Sequence, residues 1–230
     1  MSQHEPIQLW SLSLDALAPD LHRFDSILSA DERARSDRFH FRRDRERFIV
    51  CRGALRIILG RSLGIEPEAV RFQYGPNGKP GLAHDTSLRF NVSHSREAAL
   101  IAVARGTEIG VDIERIRHEA DFEMMAGRFF SRREAAAQRA LPESQSVNAF
   151  FKCWTRKEAY LKARGDGLSF PLDGFDVSVG GEAALLENRV DPDEVGRWSL
   201  RDVSDEAAGY AAALAVEGAD WEVARWQFST

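Results

Sequence analysis

Two S-x-x-E signals, Ser29 with Glu32 and Ser131 with Glu134, stand 102 residues apart in this chain of 230. In such a start the serine side chain caps the third helical N–H, and the glutamate reaches back to the serine's own N–H. Each signal predicts a short helix, then a long helix, then a run of strands. With the chain shifted by 102, Ser29, Glu32, Ala34, Phe48, Cys51 and Leu59 fall on Ser131, Glu134, Ala136, Phe150, Cys153 and Leu161, six identities in 31 pairs. The repeat is faint, and coincidence with shared helix grammar is the alternative; taken with the repeated order of elements, it reads as an α+β fold of two similar halves, residues 1–115 and 116–230, meeting near Glu114 to Phe122. A site in the cleft between such halves is expected.

Within the first half, Ile7 to Leu14 reads as a strand. Apolar residues at Phe48, Cys51, Leu55, Ile58 and Leu59 predict a helix over about Arg45 to Leu63. Strand AVRFQY, the turn Pro76-Asn77-Gly78 and strand SLRFNVS follow, and strands at Ala99 to Ala104 and Ile109 to Ile113 flank Arg105-Gly106-Thr107. In the second half Val147 to Ala163 predicts a helix, ended by Arg164-Gly165-Asp166-Gly167. Strands FDVSV, RWSLRDV, YAAALAV and WEVARWQF complete it.

Composition narrows the class. Charged residues make up 29% and hydrophobic ones 43%, which suits a folded, soluble chain. No apolar run approaches the roughly 18 residues that would span a bilayer, and Met1 to Asp15 lacks the basic start of a signal peptide. Two cysteines, Cys51 and Cys153, make neither a disulfide framework nor a metal pair, so buried thiols in a cytoplasmic protein are expected. The net charge is −5, yet Asp31 to Arg61 carries ten Arg against five acids. That stretch reads as a solvated helix face with room for an anion. The overall acidity argues against a nucleic-acid partner. Of 31 basic residues only four are lysines: Lys79, Lys152, Lys157 and Lys162.

Four short patterns carry chemistry. In Ile109-Gly-Val-Asp-Ile-Glu114, a strand puts Asp112 and Glu114 on one face and Val111 and Ile113 on the other. Two like carboxylates so close repel, and a divalent cation relieves the repulsion; Mg²⁺ takes one or two carboxylates, waters and phosphate oxygens. On a helix, Trp154, Glu158 and Lys162 form one stripe, with Lys157 adjacent. Glu158 could add a third acid or act as a general base, and a lysine suits a phosphate as a point charge. Asn91-Val-Ser93-His94-Ser95 ends a strand with a hydroxyl and an imidazole that can bind phosphate. Gly78-Lys79-Pro80 places the fourth lysine at a turn exit. Taken singly, each describes ordinary surface chemistry.

In series, GKP, FNVSHS, IGVDIE, RFFSRRE and KCWTRKEAYLKARGDGLSFPL closely resemble the Sfp-type 4′-phosphopantetheinyl transferases. The motifs cover about Gly78 to Leu172. The resemblance implies two pseudo-symmetric α+β halves with coenzyme A in the cleft between them. It implies Mg²⁺-dependent transfer of the 4′-phosphopantetheine arm to a serine of an apo acyl or peptidyl carrier protein, releasing adenosine 3′,5′-bisphosphate. It carries Asp112, Glu114 and Glu158 over as metal ligands, and Glu158 as general base. Lys162 is placed near the pyrophosphate. Ser93 and His94 meet the 3′-phosphate region, Lys79 the nucleotide, and Arg47 and Lys157 further parts of coenzyme A; Trp154 is mainly structural. Where relatives place lysines near the first helix, this chain has Arg33 and Arg35, and Arg is not equivalent to Lys at a phosphate. A monomer with no membrane or nucleic-acid partner is expected. One rival is another Mg²⁺-dependent phosphodiester enzyme such as a nuclease, which would want Glu and Lys on a strand. The other is a non-catalytic carrier-binding module, which would have no need of all three acids.

Overall fold

A computed structural model describes residues 5–83, 87–118, 122–165, 167 and 170–229. Asp166, Leu168 and Ser169 of the expected motif, and residues 119–121 of the expected junction, lie outside the described residues. The chain runs β1 (Ile7–Ser13), α1 (Leu14–Leu17), α2 (Leu21–Ser26), α3 (Ala30–Ser36), α4 (Arg42–Leu63), β2 (Phe72–Tyr74), β3 (Pro80–Leu82), β4 (Leu88–Ser95), β5 (Ala98–Arg105) and β6 (Ile109–Arg115). It continues with α5 (Phe122–Phe129), α6 (Arg132–Arg139), α7 (Glu143–Arg164), β7 (Phe175–Val177), β8 (Leu185–Asn188), α8 (Glu194–Arg197), β9 (Trp198–Asp202), β10 (Tyr210–Glu217) and β11 (Val223–Gln227).

Two sheets carry the architecture. One has the order β11-β1-β5-β4 and the other β6-β10-β9. Because successive strand residues face opposite ways, each sheet has two faces to bury. In the first, Phe90, Ala99, Ile101 and Val103 pack under α4. In the second, Leu200, Ala211, Ala213 and Ala215 pack under α7. The remaining faces, with Leu9, Leu100 and Ala102 on one sheet and Val111, Ile113, Ala212 and Leu214 on the other, meet in a third core between the sheets. The layers are therefore helix, sheet, sheet, helix, and the fold is α+β.

Strand pairing runs across residue 115 in both sheets. β6 joins the second sheet, antiparallel to β10, while β11 returns to the first and lies parallel to β1. Hydrophobic pattern assigns a strand to a face, but it says nothing about which sheet will receive it.

Both long helices end alike, at Gly64 with φ 69° and Gly165 with φ 80°, the left-handed conformation glycine adopts without a Cβ penalty. Both S-x-x-E signals open helices, α3 and α6. Glu32 accepts from the Ser29 N–H at 2.9 Å and Glu134 from the Ser131 N–H at 2.9 Å. Each capping glutamate has a second task. Glu32 is buried and takes Arg52 and Arg56 of α4 at 2.5 and 2.6 Å. Glu134 takes Lys157 of α7 at 2.7 Å. A buried charge needs such a partner, so each cap is bolted to the long helix that follows it.

Candidate active site

The two sheets touch at their edges, β4 and β6, and the junction is made by side chains. As an edge strand β6 has backbone N–H groups pointing away from β10. The side chains of β4 satisfy them in sequence: Val111 N donates to Asn91 Oδ1 at 2.9 Å, Ile113 N to Ser93 Oγ at 3.3 Å and Arg115 N to Ser95 Oγ at 3.1 Å. On the face of β6 between these residues, toward α7, stand Gly110, Asp112 and Glu114. Gly110 lets the backbone of α7 lie against the strand.

That contact brings the carboxyls together. On α7, Trp154, Glu158 and Lys162 are half-buried, while Cys153, Thr155, Arg156, Lys157, Ala159 and Leu161 around them are buried. Lys162 Nζ donates to Asp112 Oδ1 at 2.6 Å and to Ser93 Oγ at 3.0 Å. Ser93 Oγ donates to the same Asp112 Oδ1 at 2.8 Å, and Ser95 Oγ donates to Glu114 Oε2 at 2.8 Å. Burial pushes the Asp112 carboxyl above its ordinary pKa, against the pull of Lys162 and Ser93. Burial also raises Glu114, with the charge of Asp112 adding and the Ser95 hydrogen bond opposing. Glu158 is raised by burial and then by Asp112 and Glu114, with Lys162 opposing. Three acids short of positive charge thus face one lysine.

The donor set fits a hard cation. Asp112 Oδ2 is buried and has no hydrogen-bond partner, a state that costs free energy unless something is meant to bind there. Carboxylate oxygens suit Mg²⁺. Among the described residues no group of three or more His, Cys, Asp or Glu side chains is placed to hold a metal ion, so an ion at Asp112 would draw most of its ligands from water and substrate oxygens.

Cations gather on the other side of the seam. His94 projects from β4 into solvent. Partial burial, then the charges of Lys162, Arg35 and Arg47, hold its imidazole below the ordinary pKa. An exposed ring loses little hydration, so the three cations carry the meaning: around His94 their charge outweighs that of Asp112, which opposes them. Arg47 is forked onto Asp15 at 2.7 Å, with Glu97 3.8 Å away. The structure separates the two arginines of α3. Arg35 lies over the Phe48 ring and within reach of His94, whereas Arg33 donates to the carbonyls of Asp25 and Ser26 and closes the end of α2. Lys79 spans the halves, donating to Glu108 at 2.9 Å and to the Ala163 carbonyl near the end of α7 at 2.7 Å.

Two of the expected coenzyme A contacts are enclosed by the protein itself. Lys157 is one of them. Its side chain is 0% exposed, and its ammonium is held by both Glu134 oxygens and by the Phe175 carbonyl at 2.7 Å. Three donors with three acceptors leave nothing for a phosphate. Ser93, expected near the 3′-phosphate, is also buried, and its single O–H is given to Asp112. Ser95 is a residue that the sequence reading passed over. Its alternation with Ser93 opposite the alternation of Asp112 and Glu114 was the available signal. Lys152 pairs with Glu206 at 2.6 Å on the surface.

Residues 108–215 match the 4′-phosphopantetheinyl transferase superfamily, and residues 15–106 match the family described as 4′-phosphopantetheinyl transferase, N-terminal. Every candidate residue lies within one of these spans. Over 229 residues the chain is 40% identical to the 4′-phosphopantetheinyl transferase HetI of Nostoc sp. (strain PCC 7120 / SAG 25.82 / UTEX 2576), covering 97% of this chain and 93% of HetI. It is 32% identical over 157 residues to the 4′-phosphopantetheinyl transferase Sfp of Bacillus subtilis (strain 168), covering 68% of this chain and 69% of Sfp. The crystal structure of Thermotoga maritima holo-[acyl-carrier-protein] synthase overlaps 49% of this chain and 64% of its own, at a TM-score of 0.37 and 20% identity, too slight a likeness to argue from. The chain is a group-transfer enzyme. It belongs to the 4′-phosphopantetheinyl transferase superfamily.

Proposed function

We propose that this enzyme moves the 4′-phosphopantetheine arm of coenzyme A onto a serine of an apo carrier protein at the seam between β6 and α7, with Mg²⁺ held by Asp112, Glu114 and Glu158. The observation that carries the reading is the orphaned, buried Asp112 Oδ2 beside two further carboxyls and Lys162. The carrier serine attacks the phosphorus nearer the pantetheine. An O–P bond forms there, the pyrophosphate bridge breaks, and adenosine 3′,5′-bisphosphate leaves.

Glu158 takes the serine proton, directly or through a water. Its raised pKa brings it closer to the working pH, where proton uptake is most effective. Lys162 turns from Asp112 to the departing phosphate. His94, Arg35 and Arg47 hold the anionic end of coenzyme A, and Lys79 adds its third donor beside the nucleotide. When bound, Mg²⁺ supplies charge neutralisation at the pyrophosphate oxygens. The arginines of α3 and α4 steer an acidic carrier toward the cleft. The enzyme acts as a cytoplasmic monomer. Two free, buried cysteines agree with a reducing compartment, and no described helix is long and apolar enough to cross a membrane.

The test combines purified protein, coenzyme A, Mg²⁺ and a panel of apo acyl and peptidyl carriers, read by mass spectrometry. The expected result is a gain of one phosphopantetheine arm, lost with a chelator, restored by Mg²⁺ and absent with Glu158→Gln. No gain on any carrier, or full activity in Glu158→Gln, would overturn it. Cleavage of DNA or RNA by the wild type would favour a nuclease.

A further inference from the structure

The β4–β6 seam does more than join two sheets. Along β4 the side chains of Asn91, Ser93 and Ser95 each accept one β6 N–H, at Val111, Ile113 and Arg115. Asn91 stands opposite Gly110, which has no side chain. Ser93 and Ser95 stand opposite Asp112 and Glu114, and each has a second bond there. A hydroxyl has one proton and two acceptor positions. Since Ile113 N and Arg115 N fill acceptor positions, the hydroxyl protons are left to donate, and both go to a carboxylate at 2.8 Å. Each serine therefore engages one oxygen of one carboxylate and leaves the other oxygen. At Asp112 the engaged oxygen is Oδ1, which also takes Lys162, and the remaining one is the partnerless Oδ2.

We infer that Ser95, with Ser93 beside it, is a positioning residue that selects which oxygen of each strand carboxylate is presented to a metal ion. The inference rests on Asp112 and Glu114 being ligands, as proposed above. Glu114 gives it the clearest expression. It is only half-buried, and its long side chain has more rotamer freedom to lose than an aspartate. The Ser95 hydroxyl holds that side chain in one orientation before a metal arrives. Partners of this kind, one bond behind the ligands, are worth about 10–100-fold in metal affinity.

The experiment uses Mn²⁺ as the probe, with free Mn²⁺ read by electron paramagnetic resonance in the presence of coenzyme A, alongside the Mg²⁺ dependence of transfer. Ser95→Ala should weaken Mn²⁺ binding by about tenfold or more. The Mg²⁺ concentration for half-maximal transfer should rise by the same factor, the rate should recover at high Mg²⁺, and KM for coenzyme A should hold. Ser95→Thr, which keeps the hydroxyl, should restore binding. Asn91→Ala breaks a rung of the same seam with no carboxylate behind it, and should lower thermal stability while leaving Mn²⁺ affinity unchanged. Ser95→Ala binding Mn²⁺ like the wild type, or Asn91→Ala weakening it equally, overturns the assignment of Ser95 alone. A wild type that binds no Mn²⁺ removes the metal reading and this inference with it. Should Ser95→Ala fail to fold, Ser95→Cys, similar in shape but a weak donor, carries the same comparison.

Discussion

A Cβ built on Gly110 would lie 2.1 Å from the Ala159 carbonyl oxygen and 2.3 Å from the Ala163 amide nitrogen. Strand and helix are in backbone contact, and Glu158 and Lys162 are placed over Asp112 by that contact rather than by long side chains reaching across a gap. Backbone atoms cannot rotate aside as a flexible side chain can.

Gly110→Ala should therefore push α7 off β6. Overpacking of a tight core typically costs about 1–3 kcal/mol, occasionally more, and a clash with backbone belongs at the upper end. The expected outcome is a fall in Tm of roughly 6–12 °C at about 3 kcal/mol, with transfer activity reduced further than stability. Thermal unfolding and the carrier mass assay together check it. Unchanged activity would show that α7 has slack.

Lys157 and Glu134 form a pair with side chains 0% and 1% exposed. Removing one partner from such a pair leaves an uncompensated buried charge and costs about 3–5 kcal/mol. Lys157→Met alone should lose that much in urea unfolding. Adding Glu134→Gln should recover part of it, since the orphaned charge is gone. KM for coenzyme A should stay near the wild-type value, because the Lys157 ammonium is enclosed by Glu134 and the Phe175 carbonyl; a large rise in KM without loss of stability would contradict this.

His94 offers a pH readout. Partial burial and the cations Lys162, Arg35 and Arg47 hold its pKa below the ordinary 6.5. An anion bound among those cations reverses the balance and favours the protonated ring. Titration of the His94 ring protons by nuclear magnetic resonance should show a low pKa in the free protein and an upward shift with adenosine 3′,5′-bisphosphate. No shift at saturating ligand would place the phosphates elsewhere.

Cys51 is buried on α4, and loss of hydration pushes its thiol up from 9.0 to about 12. The folded state favours the protonated thiol. Its contribution to stability is whole below pH 9.0 and is lost as the pH rises from there toward about 12, because the unfolded chain ionises first. Native protein at pH 8 should resist a thiol reagent such as dithionitrobenzoate and react only after unfolding. Rapid labelling of folded protein would show that α4 opens locally.

The long helices, the caps and most strands were legible because each obeys a local rule: helical spacing at Phe48, Cys51 and Leu55, glycine at the helix ends, alternation at Asp112 and Glu114. The hairpin of β2 and β3 was only half visible, since Pro80–Leu82 is three residues long and begins with proline. β8, the four residues Leu185–Asn188, offers too short a run for alternation to register. The partners of β6 and β11 were not legible, because sheet membership depends on contacts far apart in the chain. At the site, the acids and Lys162 could be named from their spacing. The loss of Lys157 and Ser93 to interior duties could not, since their partners Glu134 and Asp112 lie 23 and 19 residues away. Residue type told which groups could bind a phosphate, and burial decided which were at liberty to do so.

The pairing of β1 with β11 joins residues more than 200 positions apart, Ile7 with Val223 through Ser11 with Gln227. On a ribosome the first strand emerges long before its outer neighbour exists. Until Val223 and the residues after it have been made, β1 presents a bare edge, an invitation to stray pairing. The first sheet, which carries His94, is thus completed only after every strand of the second sheet has been made.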